Sequence, residues 1–194
     1  MGRTFVIEQI ASSSVDYIPQ RKTYYLNNST NGSILSDYIG TMYDSGGPSG
    51  NYSANELYYF VIRATYGVPV NLFLKSMTSE GGIDTLRVYT ANDQSSLDSP
   101  ISLNANGTIS TAGFNLVYTV NGISTNTTIS QAQVGGYAIT WYSNSSTQAA
   151  GFELQWEVQN NFVLTKQLPN ILSIPGPLSL RGRGISSAYK TTSS

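Results

Sequence analysis

Carboxylates carry most of the acid–base chemistry open to this chain, because its 194 residues include no histidine and no cysteine. Without imidazole or thiol groups, the usual nucleophile–base pairs and the imidazole or thiolate zinc sites cannot form. A glycosidase would need two facing carboxyl groups. The sequence offers two such pairs, Glu153 with Glu157 and Glu56 with Glu80. Ordinary surface acids of a β-protein explain the same residues, so we expect no enzyme.

The elements that would position these acids are short β-strands. Tyr58, Phe60 and Ile62 fall on one face of a predicted strand, with the period of two that is typical of a sheet with one buried face. Turn signals such as Asn121-Gly122 separate such segments, and no window has a helical period. Many short strands at this spacing predict a β-sandwich or jelly roll. The predicted strands are 4–10, 22–26, 33–43, 57–65, 70–77, 85–90, 114–120, 127–130, 137–142, 152–159 and 161–168.

Three segments, in order along the chain, share the pattern of one known family. Gly40–Ile62, GTMYDSGGPSGNYSANELYYFVI, has a DSGGP loop, then NYS, then an acidic residue before a strand. Leu72–Tyr89, LFLKSMTSEGGIDTLRVY, has a short acidic loop and a strand that opens with Asp, and Ile139–Trp156, ITWYSNSSTQAAGFELQW, reads as a closing hairpin. Together these segments resemble the CUB domain, especially its bacterial form. The chain departs from the family in having no cysteine and a longer region from Leu97 to Gln131.

The resemblance implies an all-β fold, a CUB-like jelly-roll β-sandwich with extensions at both ends. We expect an N-terminal arm with a short strand in residues 1–32, the sandwich in 33–160, and a final strand with an extended C-terminal arm in 161–194. The family also implies a calcium site, since it places hard oxygen ligands around Ca²⁺. Carried onto this chain, the metal ligands are Glu80, Asp84 and Asn144. Because Asn144 supplies an amide where the family has an acid, we expect a weak or vestigial site; the alternative is that Glu80 and Asp84 cap a turn.

Charge is distributed unevenly along the chain. Residues 37–157 hold nine acidic and three basic residues, a net charge of −6, and the residues after 157 hold four basic residues and no acid. This pattern favours docking of a basic tail on an acidic partner, with a solvated tail as the alternative. We expect Arg181 and Arg183 to contact carboxylates of another chain. Phe5 and Ile7 lie in an apolar strand outside the CUB-like region, and an orphan strand is stable only when it pairs with a sheet edge.

These observations favour a non-enzymatic structural or binding module. We expect a virion accessory subunit of a bacterial virus, such as a capsid decoration, head-fibre or tail protein, made in the host cytoplasm without a signal peptide. The alternative is a bacterial extracellular or cell-surface adhesion module that binds glycan or protein. Expected partners are other protein subunits in a homo-oligomer or lattice, with glycan as a further candidate, and neither nucleic acid nor membrane. Trp141 and Trp156 lie in predicted strands, which favours core positions over a sugar-stacking platform.

Overall fold

The computed structural model describes residues 4–6, 20–65, 67–130, 135–159 and 190–192. The chain divides into two compact units, residues 1–18 with 162–194 and residues 19–161. The elements are β1 (Thr4–Val6), β2 (Lys22–Tyr25), β3 (Ser33–Leu35), β4 (Ile39–Tyr43), β5 (Leu57–Arg63), β6 (Val70–Thr78), β7 (Thr85–Ala91), α1 (Gln94–Asp98), β8 (Phe114–Val120), β9 (Ile123–Ser130), β10 (Gly136–Tyr142), β11 (Gly151–Val158) and β12 (Lys190–Thr192).

The larger unit is a sandwich of two five-stranded sheets. The first sheet has the strand order β3-β5-β10-β7-β8, and the second has the order β2-β4-β11-β6-β9. The β2–β4 and β3–β5 pairs are parallel, and the other pairs are antiparallel. The predicted all-β sandwich is therefore confirmed.

The core lies between the two sheets and is built from alternating residues of their strands. On β11, Phe152, Leu154 and Trp156 are buried, while the residues between them are partly exposed. Trp141 of β10 and Trp156 are both fully buried, so the prediction that they fill the core is confirmed. Gly40 of β4 lies directly against the Trp156 ring, and any side chain at that position would overlap it. Strand alternation thus places the largest side chains where the sheets face each other.

A second cluster covers the outer face of the first sheet. Leu97 of α1 and Ile101 pack with Val61 and Ala138, which point away from the main core. The long region between β7 and β8, where the chain departs from the CUB pattern, supplies this cover. It contains the five-residue helix α1, whose N-cap Asp93 accepts a hydrogen bond from the Ser96 amide at 2.8 Å. The sequence predicted no helix, because five residues are too few to show a period of 3.6.

The predicted strand 33–43 and the predicted start of the sandwich both differ from the structure. The segment 33–43 forms two strands, β3 and β4, and these belong to different sheets. Strand β2 pairs with β4 inside the sandwich, and the compact unit begins at Pro19. The sandwich therefore starts before Ser33, and Lys22–Tyr25 belongs to it rather than to an N-terminal arm.

In the smaller unit, β1 pairs antiparallel with β12, with Phe5 opposite Thr191 in the backbone register. The N-terminal strand is therefore not an orphan, because the chain supplies its own partner strand. That Phe5 contacts another chain stays a prediction. Lys190–Thr192 also shows that part of the C-terminal arm is a strand. Ile7, Arg181, Arg183 and the predicted strand 161–168 lie outside the described residues.

Within the described part of the chain, no helix has the length and apolar character needed to cross a membrane.

Candidate functional site

Three loops meet at one end of the sandwich and bring the predicted metal ligands together. Residues 44–56 connect β4 to β5, residues 79–84 connect β6 to β7, and residues 143–150 connect β10 to β11. In the antiparallel registers, β4, β6 and β10 all end at the same end of the sandwich, and β5, β7 and β11 begin there, so the three connections lie together. The Asn121-Gly122 turn braces the middle loop: the Ser79 amide donates to the Gly122 carbonyl at 2.9 Å.

Asp84 is the buried centre of this end, and its side chain is fully shielded from solvent. Its Oδ1 accepts a hydrogen bond from the Asn144 backbone amide at 2.8 Å, and its Oδ2 accepts one from the Tyr52 hydroxyl at 2.5 Å. The Tyr52 oxygen in turn accepts from the Glu80 amide at 3.2 Å. Burial, followed by the hydrogen bond to Asp84, raises the pKa of Tyr52 to about 12. The phenol therefore keeps its proton and remains a donor to the carboxylate at neutral pH.

Glu80 and Asn144 are joined through a serine. The Ser146 hydroxyl lies 2.5 Å from Glu80 Oε2 and 2.8 Å from Asn144 Oδ1, and the Ser146 amide donates to the same Asn144 oxygen at 2.7 Å. One hydroxyl thus lies within hydrogen-bond distance of both side-chain oxygens. The structure places all three predicted ligands, Glu80, Asp84 and Asn144, in one connected network.

Sequence reasoning missed the two residues that complete this network, Tyr52 and Ser146. Tyr52 belongs to the NYS that was quoted for the family resemblance, and Ser146 belongs to the SNSS of the closing hairpin. Nothing in the spacing of these residues indicated that their hydroxyls would connect loops more than thirty positions apart.

Asp44 has a structural role beside this site. Its two oxygens accept hydrogen bonds from the Phe152 amide at 2.6 Å and the Gly46 amide at 2.9 Å, which fix the end of β4 to the start of β11. Gly151 passes so close to the carboxylate, at a φ of 73°, that a side chain there would overlap it. Burial raises the pKa of Asp44 to about 6, although the backbone hydrogen bonds oppose that rise.

The acids of the two candidate glycosidase pairs lie in different surroundings. Glu56 is 2% exposed, and its Oε2 accepts a hydrogen bond from the Trp141 indole at 2.7 Å. Burial raises the pKa of Glu56. Glu153 and Glu157 lie on the outer side of β11, where Glu153 Oε1 accepts a hydrogen bond from Gln155 Nε2 at 2.6 Å.

Comparisons with known proteins show similarity in fold alone. No family profile matches the chain, and no curated protein matches it. Among solved structures, the full extracellular region of zebrafish Gpr126/Adgrg6 matches at 16% identity and a TM-score of 0.47, over 66% of this chain and 14% of that chain. The CUB1-EGF-CUB2 domain of human MASP-1/3 matches at 16% identity and a TM-score of 0.45, over 63% of this chain and 42% of that chain.

The MASP-1 CUB2 domain bound to Ca²⁺ matches at 15% identity and a TM-score of 0.43, over 66% of this chain and 98% of that chain. The match therefore covers less than half of the first two structures and nearly all of the isolated CUB2 domain. The second and third of these structures consist of or contain CUB domains by name. At these values the likeness extends to the course of the chain and carries nothing about ligands or partners.

Proposed function

We propose that this chain is a non-catalytic binding module whose loop end holds a weak calcium site. One observation carries the proposal: the Ser146 hydroxyl lies within hydrogen-bond distance of both Glu80 Oε2 and Asn144 Oδ1, and the Asn144 backbone amide donates to Asp84 Oδ1. Oxygens from loops 60 positions apart are thereby held within reach of a shared partner. Carboxylate and amide oxygens are the ligands that Ca²⁺ prefers.

The donor set fits calcium in type and predicts low affinity. Two carboxylates and one neutral amide supply less negative charge than a set of three acids. Among the described residues, no group of three or more histidine, cysteine, aspartate or glutamate side chains could hold a metal ion. Calcium sites with few charged ligands reach dissociation constants on the order of 1 mM. When bound, the ion would supply a positive charge that links loops 79–84 and 143–150.

The absence of catalysis is supported by the chemistry of the chain. It contains no histidine and no cysteine, and the acids with raised pKa values, Asp44 and Glu56, are buried and bonded to the protein itself. Raised pKa values in a cleft suggest acid–base catalysis, whereas raised values inside a core follow from desolvation alone. These acids therefore support the architecture.

Thermal melting with and without calcium tests the site. A ligand that binds the folded state at a dissociation constant of about 1 mM stabilises it by about 1.4 kcal/mol at about 10 mM, which raises the melting temperature by roughly 2–6 °C for a domain of this size. Glu80→Gln should abolish the shift, and Asn144→Asp should enlarge it by restoring an acid. Glu157→Gln, an exposed acid on β11, is the matched control and should keep the parent shift.

An unchanged melting curve in calcium would refute the calcium site. So would a shift that magnesium reproduces equally, or one that survives in Glu80→Gln.

We propose that this module is an accessory subunit in the virion of a bacterial virus and that its partners are proteins. The second candidate is an extracellular or cell-surface adhesion module. The support is the surface chemistry: 11% of residues are charged, and residues 99–152 contain no acidic or basic side chain. Mass spectrometry of purified particles should find the chain in the virion, and its absence there would favour the second candidate. Sedimentation of the full chain beside versions lacking residues 1–20 or 169–194 tests the oligomer.

A further inference from the structure

The outer face of the second sheet carries an ordered row of side chains that the calcium site does not use. The backbone register aligns Tyr25 of β2 with Tyr43 of β4, and Tyr43 with Glu153 of β11. The inward neighbours Met42, Phe152 and Leu154 are buried, so the aligned residues point outward. We call Tyr25, Tyr43, Glu153 and Gln155 the tyrosine face.

Two aromatic rings of the tyrosine face stack on each other, with Tyr25 on the edge strand as the outer ring. The Tyr25 and Tyr43 ring centroids lie 6.0 Å apart, and their planes differ by 25°. Tyr25 is 44% exposed, although it rests on the loop after β4, where a Cβ at Gly47 would lie 3.0 Å from its Cε1. The backbone at Tyr25 is held by the pairing of β2 with β4 and by the Thr30 hydroxyl, which donates to the Tyr25 carbonyl at 2.6 Å. The strand that carries the outer ring is therefore part of the sheet before any ligand arrives.

Polar groups lie directly beside the rings. Gln155 Nε2 donates to Glu153 Oε1 at 2.6 Å, which fixes the two side chains relative to each other. Burial, then the negative charge of Glu153, raises the pKa of Tyr43, consistent with the carboxylate lying close to the phenol. The carboxylate and carboxamide each have remaining hydrogen-bonding capacity for a ligand.

We propose that the tyrosine face binds a neutral glycan. The apolar C–H face of a sugar ring packs on aromatic rings, and its hydroxyls need donors and acceptors at the ring edge. The face supplies both, with the exposed Tyr25 ring, backed by Tyr43, as the stacking surface and with Glu153 and Gln155 as the polar groups along the same face. Glu153 and Glu157 both lie on the outer side of β11, so the charge of the face disfavours anionic sugars.

This site differs from the platform that the sequence suggested. Trp141 and Trp156 are fully buried and cannot meet a sugar. The tyrosine face also shares no side chain with Glu80, Asp84 or Asn144, so the test of glycan binding does not depend on the calcium site.

Affinity electrophoresis of the full chain tests the proposal, in gels containing hydroxyethylcellulose, glucomannan, glycol chitin or alginate. We expect retardation by at least one of the first three and none by alginate, which is anionic. Tyr25→Ala should weaken binding by roughly tenfold, the amount that about 1.4 kcal/mol of lost stacking produces. Tyr25→Phe should bind within about threefold of the parent, because it keeps the ring.

Matched variants separate binding from folding. Tyr38→Ala removes another exposed tyrosine, 46% accessible and outside the tyrosine face, and should leave binding unchanged. Gln155→Ala should weaken binding without loss of a ring. Melting curves of each variant show which ones fold, and the Gln155→Ala result carries the test if Tyr25→Ala does not fold.

Lack of retardation in all three neutral gels would overturn the proposal. Retardation by alginate alone, or neutral-glycan binding that is equal in the parent, Tyr25→Ala and Gln155→Ala, would overturn it as well.

Discussion

Replacing Asp44 with Asn should flatten the dependence of stability on pH. Asp44 is fully buried, its pKa is raised from 3.8 to about 6, and no basic side chain is among the causes of that shift. Its partners are the Phe152 and Gly46 amides, which bond to the neutral or the charged form. Asp44 is thus a buried acid whose ionisation the fold disfavours.

The sign follows from the direction of the shift. Because the folded-state pKa lies above the unfolded value, the contribution of Asp44 is complete below about pH 3.8 and is lost as the pH rises through about 6. A shift of about two units corresponds to about 3 kcal/mol. Glu56 acts in the same direction, because burial raises its pKa too. Asp37, whose pKa is lowered, acts in the opposite direction, but below pH 3.8.

Urea denaturation in EGTA between pH 4.5 and 7.5 measures the effect. The parent should lose stability as the pH rises across this window. Asp44→Asn has no charge to bury, so over this window it should lose about 2 kcal/mol less than the parent, because roughly a third of the 3 kcal/mol is lost below pH 4.5. At every pH the variant also loses one hydrogen bond, because the NH₂ group of Asn replaces a side-chain oxygen that accepted a backbone amide. This loss costs about 1–3 kcal/mol and does not vary with pH.

The readout is therefore the difference between the slopes of the two curves of unfolding free energy against pH, and the constant offset between these curves does not enter it. Parallel stability curves for the parent and Asp44→Asn would refute the reasoning. A parent that gains stability from pH 4.5 to 7.5 would refute it as well.

Two core substitutions give further predictions. Gly40→Ala should lower the free energy of unfolding by about 1–3 kcal/mol, because its methyl group would overlap the Trp156 ring. Gly81→Ala, with no atom within 4 Å of the added Cβ, is the control and should change the free energy of unfolding by less than about 0.5 kcal/mol. Equal melting temperatures for the two variants would contradict this prediction. Trp141→Phe removes the donor to Glu56 Oε2, and the other Glu56 oxygen is also buried. The ionised carboxylate loses more from this change than the neutral acid, so the substitution should destabilise the fold more at pH 7 than at pH 4.5. Equal losses in urea denaturation at the two pH values would contradict this.

The sequence predicted the sandwich because strand alternation and turn residues are local signals. Tyr58, Phe60 and Ile62 alternate, and β5 forms at 57–63, within two residues of the predicted 57–65. The break between β3 and β4 was missed because it depends on which sheet each half joins, and that is decided by pairing with β5 and β2. Local propensity cannot distinguish one strand that continues from two strands that change sheets.

The candidate site was predicted in part for a similar reason. Glu80, Asp84 and Asn144 came from the family pattern, and the structure brings them into one network through Tyr52 and Ser146. The hydroxyl partners could not be predicted, because a serine or tyrosine in a loop has no periodicity that marks its contact. The tyrosine face was missed because it depends on the register between strands far apart in the sequence.

The acids at the loop end differ in which donors hold them, and this difference decides where a cation could bind. Both oxygens of Asp44 accept backbone amides that fix β4 to β11, so the fold sets the orientation of this carboxylate. Glu80 Oε2 and Asp84 Oδ2 instead accept from hydroxyls of Ser146 and Tyr52. A hydroxyl can rotate its proton away and present its own lone pairs to a cation, whereas a backbone amide can only donate. We therefore expect a calcium site at this end to form around Glu80 and Asp84, with Asp44 kept for the fold.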